Sequence, residues 1–246
     1  MADALFNDDY LASLYDPLSV DRGDEGYYLH LIESAPRVLD IGCGTGTLLR
    51  RAREAGHTGR LCGLDPAESM LALARRYPDI EWICGTLPDA GFEAEFDLLI
   101  MTGHAFQVLL TDDDVRTFLA AARRALAPGG HLAFETRNPR RRAWEGWTPD
   151  DVVEVQDAEG RTIRVWHEVE EVRGEYVTFT ESYARDDWPA PVVGRDTLRF
   201  LPAEELDHLL TEAGFVVDER YGDWDRSLMT PASREIITIA RAVDRG

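Results

Sequence analysis

Residues Val38–Arg50 read VLDIGCGTGTLLR. Val38-Leu39-Asp40-Ile41 has the apolar character of a buried strand. Gly42, Gly44 and Gly46 then give a tight turn free of side chains, and Thr47-Leu48-Leu49-Arg50 begins a helix. A strand, glycine loop and helix in succession let a ligand approach the backbone closely. The helix start adds N–H groups that no carbonyl in the helix can satisfy. In an open α/β sheet this is where a nucleotide-like cofactor sits.

The pattern extends outward from this turn. Arg37–Ile41 reads as the first strand, with a helix to about Ala55 and Gly56 suited to its C-terminal stop. Arg60–Asp65 reads as the second strand. Pro66 is then expected in the first turn of a helix whose stripe is Met70, Leu73, Ala74 and Tyr77. Ile80–Cys84 and the apolar run Phe96–Met101 give two more strands. Thr111 and Asp112-Asp113-Asp114 supply a cap and an acidic first turn for a helix striped with Val115, Phe118, Leu119, Ala122 and Leu126. Pro128-Gly129-Gly130 breaks that helix, and His131–Thr136 reads as strand five. Five strands alternating with helices predict a parallel, doubly wound α/β sheet.

After residue 150 the period changes. Val152–Gln156, Thr162–Val172, Glu175–Tyr183 and Thr197–Phe200 alternate apolar and polar residues, with turns at Glu159-Gly160 and Arg173-Gly174. These are antiparallel hairpin signals and predict a small inserted sheet. Pro202 opens a last helix with Leu206, Leu209, Leu210 and Ala213 on its apolar face, and Gly214 stops it. Phe215–Tyr221 and Glu235–Ala240 read as the closing strands. Before the first strand, Asp24–Ser34 suits a short helix, and Tyr15-Asp16-Pro17 is expected to end an earlier helical stretch. The expected division is a helical lid or cap at 1–36, a cofactor-binding domain at 37–143 and 201–246, and an antiparallel insertion at 144–200.

Composition narrows the partners. The chain has 246 residues and a net charge of −20, and all its basic residues are Arg. Such acidity disfavours nucleic acid and an anionic membrane surface. No apolar run reaches the roughly 18 residues of a spanning helix, and MADALFNDDY lacks the features of a signal peptide. A cytoplasmic location is the expectation. Cys43, Cys62 and Cys84 show no CxxC spacing, so neither a disulfide framework nor a metal site is expected.

The turn also discriminates between cofactors. A dinucleotide site uses G-x-G-x-x-G around a pyrophosphate, whereas this turn is G-x-G-x-G with Asp40 two residues ahead. A carboxylate there repels a pyrophosphate and suits a cation. Asp65, ending the second strand, stands where an acid accepts ribose hydroxyls. A nucleoside bearing positive charge and no phosphate fits both acids, and S-adenosyl-L-methionine answers to that description.

Asp40-Ile41-Gly42-Cys43-Gly44-Thr45-Gly46 resembles the first motif of the class I S-adenosylmethionine-dependent methyltransferases. Gly63-Leu64-Asp65-Pro66 through Ser69-Met70-Leu71 is similar to the second, and Gly85-Thr86-Leu87-Pro88 to the segment bordering adenine. Phe96–Ile100 and Leu126–Leu132 resemble the fourth- and fifth-strand motifs. The resemblance implies a seven-stranded Rossmann-like sheet in the order 3-2-1-4-5-7-6, strand seven antiparallel. It implies a cofactor site drawn from Asp40, Gly42, Gly44, Gly46, Asp65, Pro66, Met70, Gly85, Thr86, Leu87 and Met101, with S-adenosyl-L-homocysteine as product. Met70 is equally placed to be core.

Methyl transfer aligns nucleophile, carbon and sulfur, so the acceptor is expected beyond strands four and five. Histidine is the side chain type best suited to exchange protons near neutral pH, so His104 is the first candidate base or substrate orienter, with a role in fixing its loop as the alternative. Arg137 stands to hold a substrate carboxylate or to pair with surface acids. Trp144, Trp147, Trp166 and Trp188 suit either an apolar pocket or the core of the insertion. The reading at this level is methyl transfer to an O or N atom of a small molecule by a monomer or homodimer. Its rivals are a protein of this fold with other chemistry or binding alone, and a nicotinamide-dependent oxidoreductase.

Overall fold

A computed structural model describes residues 7–19 and 23–243. One sheet holds β1 (Arg37–Ile41), β2 (Arg60–Asp65), β3 (Glu81–Cys84), β4 (Phe96–Met101), β5 (Leu126–Arg137), β10 (Phe215–Tyr221) and β11 (Glu235–Ala242). Its order is β10-β11-β5-β4-β1-β2-β3. The pairs from β3 to β5 are parallel, and β11 is antiparallel to both β5 and β10. This is the seven-stranded order implied by the sequence motifs. Val38, Leu39, Leu61, Leu99, Leu132 and Ile236 are almost wholly buried, as expected of strands covered on both faces.

Helices supply the cover. Tyr28 and Ile32 of α3 (Glu25–Glu33) and Leu49 and Ala52 of α4 (Thr47–Glu54) pack on Val38, Leu98 and Ile237. Phe118, Leu119 and Ala122 of α7 (Asp112–Ala125) and Leu206 and Leu210 of α8 (Ala203–Glu212) join Leu39, Leu99 and Phe134 in the other core. The start of α7 carries a reciprocal cap. Thr111 Oγ1 accepts from the Asp114 N–H at 3.0 Å, and Asp114 Oδ2 accepts from the Thr111 N–H at 2.9 Å.

The insertion is a second sheet, β6-β7-β8-β9, of β6 (Val153–Gln156), β7 (Thr162–Arg173), β8 (Tyr176–Ala184) and β9 (Val192–Arg199), all antiparallel. α1 (Asp9–Ser13) and α2 (Tyr15–Leu18) lie against the inserted sheet and against the segment Ala67–Leu73 that follows β2. Leu11 and Leu14 pack on Val155, Ile163, Val165 and Tyr183 of the insertion, while Ala12 packs on Ala67 and Met70 beside the glycine turn. Tyr10 donates from its hydroxyl to Asp157 Oδ2 at 2.8 Å, and Ser69 Oγ donates to Asp9 Oδ1 at 2.6 Å.

Several boundaries differ from the sequence expectation. Pro17 does not end a helix but sits inside α2, a single turn in which the early N–H groups lack carbonyl partners anyway. Pro66 lies ahead of α5 (Glu68–Ala74), whose N-cap is Ala67, and Tyr77 falls past its end. β9 begins at Val192, five residues before the expected Thr197, because Pro189 and Pro191 obscure its start. β5 begins at Leu126 opposite Phe96; the register then shifts over Pro128–Gly130 before His131 pairs with Leu98. A short helix, α6 (Leu87–Ala90), follows β3 with Pro88 in its first turn.

Trp82 fixes the spacing between the turn and β2. A Cβ on Gly46 would lie 2.3 Å from Trp82 Cη2, and one on Gly63 would lie 2.4 Å from Trp82 Cζ3 and 2.8 Å from Cys43 Sγ. Gly63→Ala is therefore expected to lower unfolding free energy by about 1–3 kcal/mol through overpacking. Urea denaturation will read this. Much of the loss should return when Trp82→Phe is added, and a Gly63→Ala variant as stable as the parent would refute the placement.

Candidate cofactor and acceptor site

The turn begins where β1 ends. The N–H groups of Gly42 and Cys43 both donate to Leu64 O, at 2.7 and 3.2 Å, which ties the turn to β2. Gly42, Gly44 and Gly46 have φ of +74°, +54° and +77°, a region costly for other residues. Asp65, last in β2, accepts from the Gly44 N–H through Oδ2 and from the Ala67 N–H through Oδ1, both at 2.8 Å. One carboxylate thus locks the turn to the start of α5. Burial pushes the Asp65 carboxyl up, and its two backbone donors pull it back. Gly85 donates to Asp65 O at 3.0 Å, bringing the segment after β3 to the same edge. There Thr86 Oγ1 donates to Asp89 Oδ2 at 2.5 Å.

Asp40 differs from Asp65. It is buried, and its Oδ1 has no hydrogen-bond partner among the described residues. Burial, with Asp65 and Glu135 nearby, pushes its carboxyl up to about 8. Such a group demands a cation or a proton. S-adenosylmethionine brings an ammonium and a sulfonium, so these acids fit it and oppose a pyrophosphate. When bound, the cofactor supplies an electrophilic methyl group.

The other expected cofactor residues divide by packing. Met70 is buried against Ala12 and Ala67, while Leu87 and Met101 belong to the main core. The Gly44 face is covered by Tyr15, whose Cε1 would stand 3.5 Å from a Cβ there. Thr45 Oγ1 donates to Asp16 Oδ1 at 2.5 Å. The N-terminal segment therefore lies directly over the turn.

His104 stands past β4 in a left-handed conformation, φ +62°. Its N–H donates to Glu135 Oε1 at 2.8 Å, and its Nε2 lies 2.8 Å from Glu235 Oε2. Glu235 opens β11 directly opposite Arg137 of β5. Arg137 donates through Nη1 to Gln107 Oε1 at 3.0 Å, and its guanidinium lies 5.3 Å from the Trp147 ring centre. Trp147 packs against Phe179 of β8 at 4.9 Å between ring centres. The structure thus gathers His104 and Arg137 at one edge and adds Glu135 and Glu235. The sequence reading missed both; an acid inside the apolar run LAFET could have pointed to Glu135, whereas Glu235 carries no local signal.

Two of the tryptophan candidates, and other ionisable groups of the chain, have structural partners. Asp97 pairs with Arg37 at 2.6 Å and His131 with Asp218 at 3.3 Å. Trp144 is buried against Phe200, and Trp188 packs on Tyr10. His167 pairs with Glu181 at 3.2 Å beside Phe179.

A seven-stranded sheet with this turn and these two acids defines a protein built to bind a nucleoside cofactor at the carboxyl edge of its strands. The chain matches the methyltransferase domain family over residues 38–130. It is 26% identical over 220 residues to the dTDP-4-amino-2,3,4,6-tetradeoxy-D-glucose N,N-dimethyltransferase of Saccharopolyspora spinosa, covering 82% of this chain and 84% of that one. Matches of higher identity are shorter: one of 38% over 101 residues spans 44% of the relative's length. A methyltransferase structure from Streptomyces caelestis shares the fold with a TM-score of 0.79 at 21% identity, covering 98% of each chain. An S-adenosylmethionine-bound amino pentose methyltransferase from Micromonospora echinaspora aligns with a TM-score of 0.67 at 25% identity, covering 93% of this chain and 94% of that one.

The acid pair gives a pH signature. Asp40 holds its proton to about pH 8 in the folded chain, whereas an unfolded Asp releases it near pH 4. Stability of the cofactor-free protein should therefore fall as pH rises through that window and level off above it. Asp40→Asn, which cannot ionise, should melt above the parent at pH 8.5, with the gap closing towards pH 5. A gap independent of pH in thermal unfolding would show that Asp40 titrates normally.

Proposed function

We propose that this chain transfers the methyl group of S-adenosylmethionine to an amine nitrogen of a small molecule, with His104 taking the proton and Glu235 orienting its ring. The observation that carries this reading is the sign of the charge around the site. Asp40, Asp65, Glu135 and Glu235 are all buried acids, and they cluster at the carboxyl edge. Attack by an amine moves a positive charge from sulfur to nitrogen, so the site faces a cation before and after transfer. Attack by a phenolate would bring an anion among these acids and then leave them without a counter-charge. The named activities of the relatives from Saccharopolyspora spinosa and Micromonospora echinaspora, both on amino sugars, support the same class of acceptor.

The remaining roles derive from position. An ammonium must lose a proton before it can attack, and a histidine fixed by a carboxylate serves as the base. Arg137, held by Gln107 and Trp147, orients the acceptor, and the inserted sheet roofs it with Trp147 and Phe179. α1 and α2 act as the lid over the cofactor. Orientation in such an enclosure supplies several kcal/mol of the barrier reduction, with the base adding roughly 10²–10⁴-fold.

Labelled methyl transfer to matched pairs of amino sugars and their hydroxyl counterparts tests this. Transfer is expected to the amine of a pair and not to the hydroxyl; the reverse preference would overturn the reading. With a responsive amine in hand, His104→Ala should lower kcat by roughly 10²–10⁴-fold while S-adenosylhomocysteine affinity changes by less than about threefold. Glu235→Gln should lower kcat to a smaller degree.

A further inference from the structure

Glu135, like Asp65, has two oxygens that reach separate elements. It is fully buried on β5, two residues beyond Ala133, and Ala133 lies in register with Ile100 of β4 and, through it, Asp40 of β1. Oε1 accepts from the His104 N–H at 2.8 Å, and Oε2 accepts from the Tyr28 hydroxyl of α3. Burial pushes the Glu135 carboxyl up, and the His104 and Tyr28 groups around it pull it back, so the two donors favour its ionised form. Both donors are neutral groups, so dipoles hold the charge in place without cancelling it. Burial pushes the Tyr28 hydroxyl well up, which keeps it a donor.

We propose that Glu135 reads the charge on the cofactor sulfur, making the pocket prefer S-adenosylmethionine to S-adenosylhomocysteine. The two ligands share adenosine, ammonium and carboxylate; they differ in one methyl group and one positive charge. During transfer the acceptor's lone pair forms the new bond to the methyl carbon, and the carbon–sulfur pair returns to sulfur. The sulfonium becomes a neutral thioether, and the acceptor gains the methyl. A fixed negative charge near sulfur attracts the ligand before this step and not after it. Asp40 stands apart in this respect, because an acid that serves the ammonium treats both ligands alike. Product inhibition is thereby relieved without any change of shape. The inference rests on the cofactor and not on the amine acceptor, so it stands or falls independently of that reading.

The test is a pair of calorimetric dissociation constants, for S-adenosylmethionine without acceptor and for S-adenosylhomocysteine, on the full chain and three variants. Glu135→Gln keeps an acceptor for His104 and a polar partner for Tyr28 while removing the charge. It should weaken S-adenosylmethionine by about tenfold and S-adenosylhomocysteine by less than about twofold, as expected for the loss of a single charge pair. Asp40→Asn should weaken both ligands equally. Tyr28→Phe, which leaves the charge, should retain the parent's preference for S-adenosylmethionine. An unchanged ratio in Glu135→Gln overturns the proposal. If that variant does not fold, loss of the preference in Tyr28→Phe overturns it equally.

Discussion

Carboxylates enclosed at the edge of an apolar sheet set the terms for everything around them. Asp40 and Glu135 stand on β1 and β5, with β4 between them, and Asp65 stands on β2. Taking one such group out of water costs several kcal/mol unless hydrogen bonds or counter-charges answer it. Asp65 is answered by two backbone N–H groups and Glu135 by a tyrosine and a backbone N–H. Asp40 is left with an idle oxygen. Asp40 therefore keeps its proton in the cofactor-free protein, and a bound cation would take that proton's place.

The same constraint explains why the loop after β4 adopts a conformation that histidine seldom takes. His104 sits at positive φ because its N–H is claimed by Glu135 and its ring by Glu235. Two acids on β5 and β11 thus set both the backbone and the ring of one residue. Those strands are antiparallel neighbours, and residues at matched positions share a face. The antiparallel closing strand brings Glu235 beside Arg137, so an acid and a cation flank the acceptor edge.

Much of this was legible in the sequence. Asp40 and Asp65 could be placed because a turn of alternating glycines leaves few geometries, and both acids stand at strand ends that the turn brings together. The five-strand alternation was legible because apolar runs bounded by Gly and Pro have few other readings. The His104–Glu235 pair was not, since its members lie 131 positions apart and meet only through strand order. Pro17 misled because a proline disrupts a long helix but not the opening turn of a short one. The start of β9 was masked by prolines that an edge strand tolerates. The path of the N-terminal helices was illegible for a different reason: Leu11 and Ala12 are neighbours in sequence, yet one packs on the inserted sheet and the other on α5 and its cap.

Trp82 has a consequence for how the chain can vary. Its ring fills the space above Gly46 and Gly63, and its Nε1 donates to Tyr77 O at 2.9 Å, past the end of α5. Any side chain added at either glycine must take volume from the indole, and a smaller ring would leave a void beside the turn. A glycine turn suits close approach of a ligand, yet here one aromatic ring also enforces part of the spacing. Positions 46, 63 and 82 therefore form one unit of inheritance, and a protein redesigned at one of them has to be redesigned at all three.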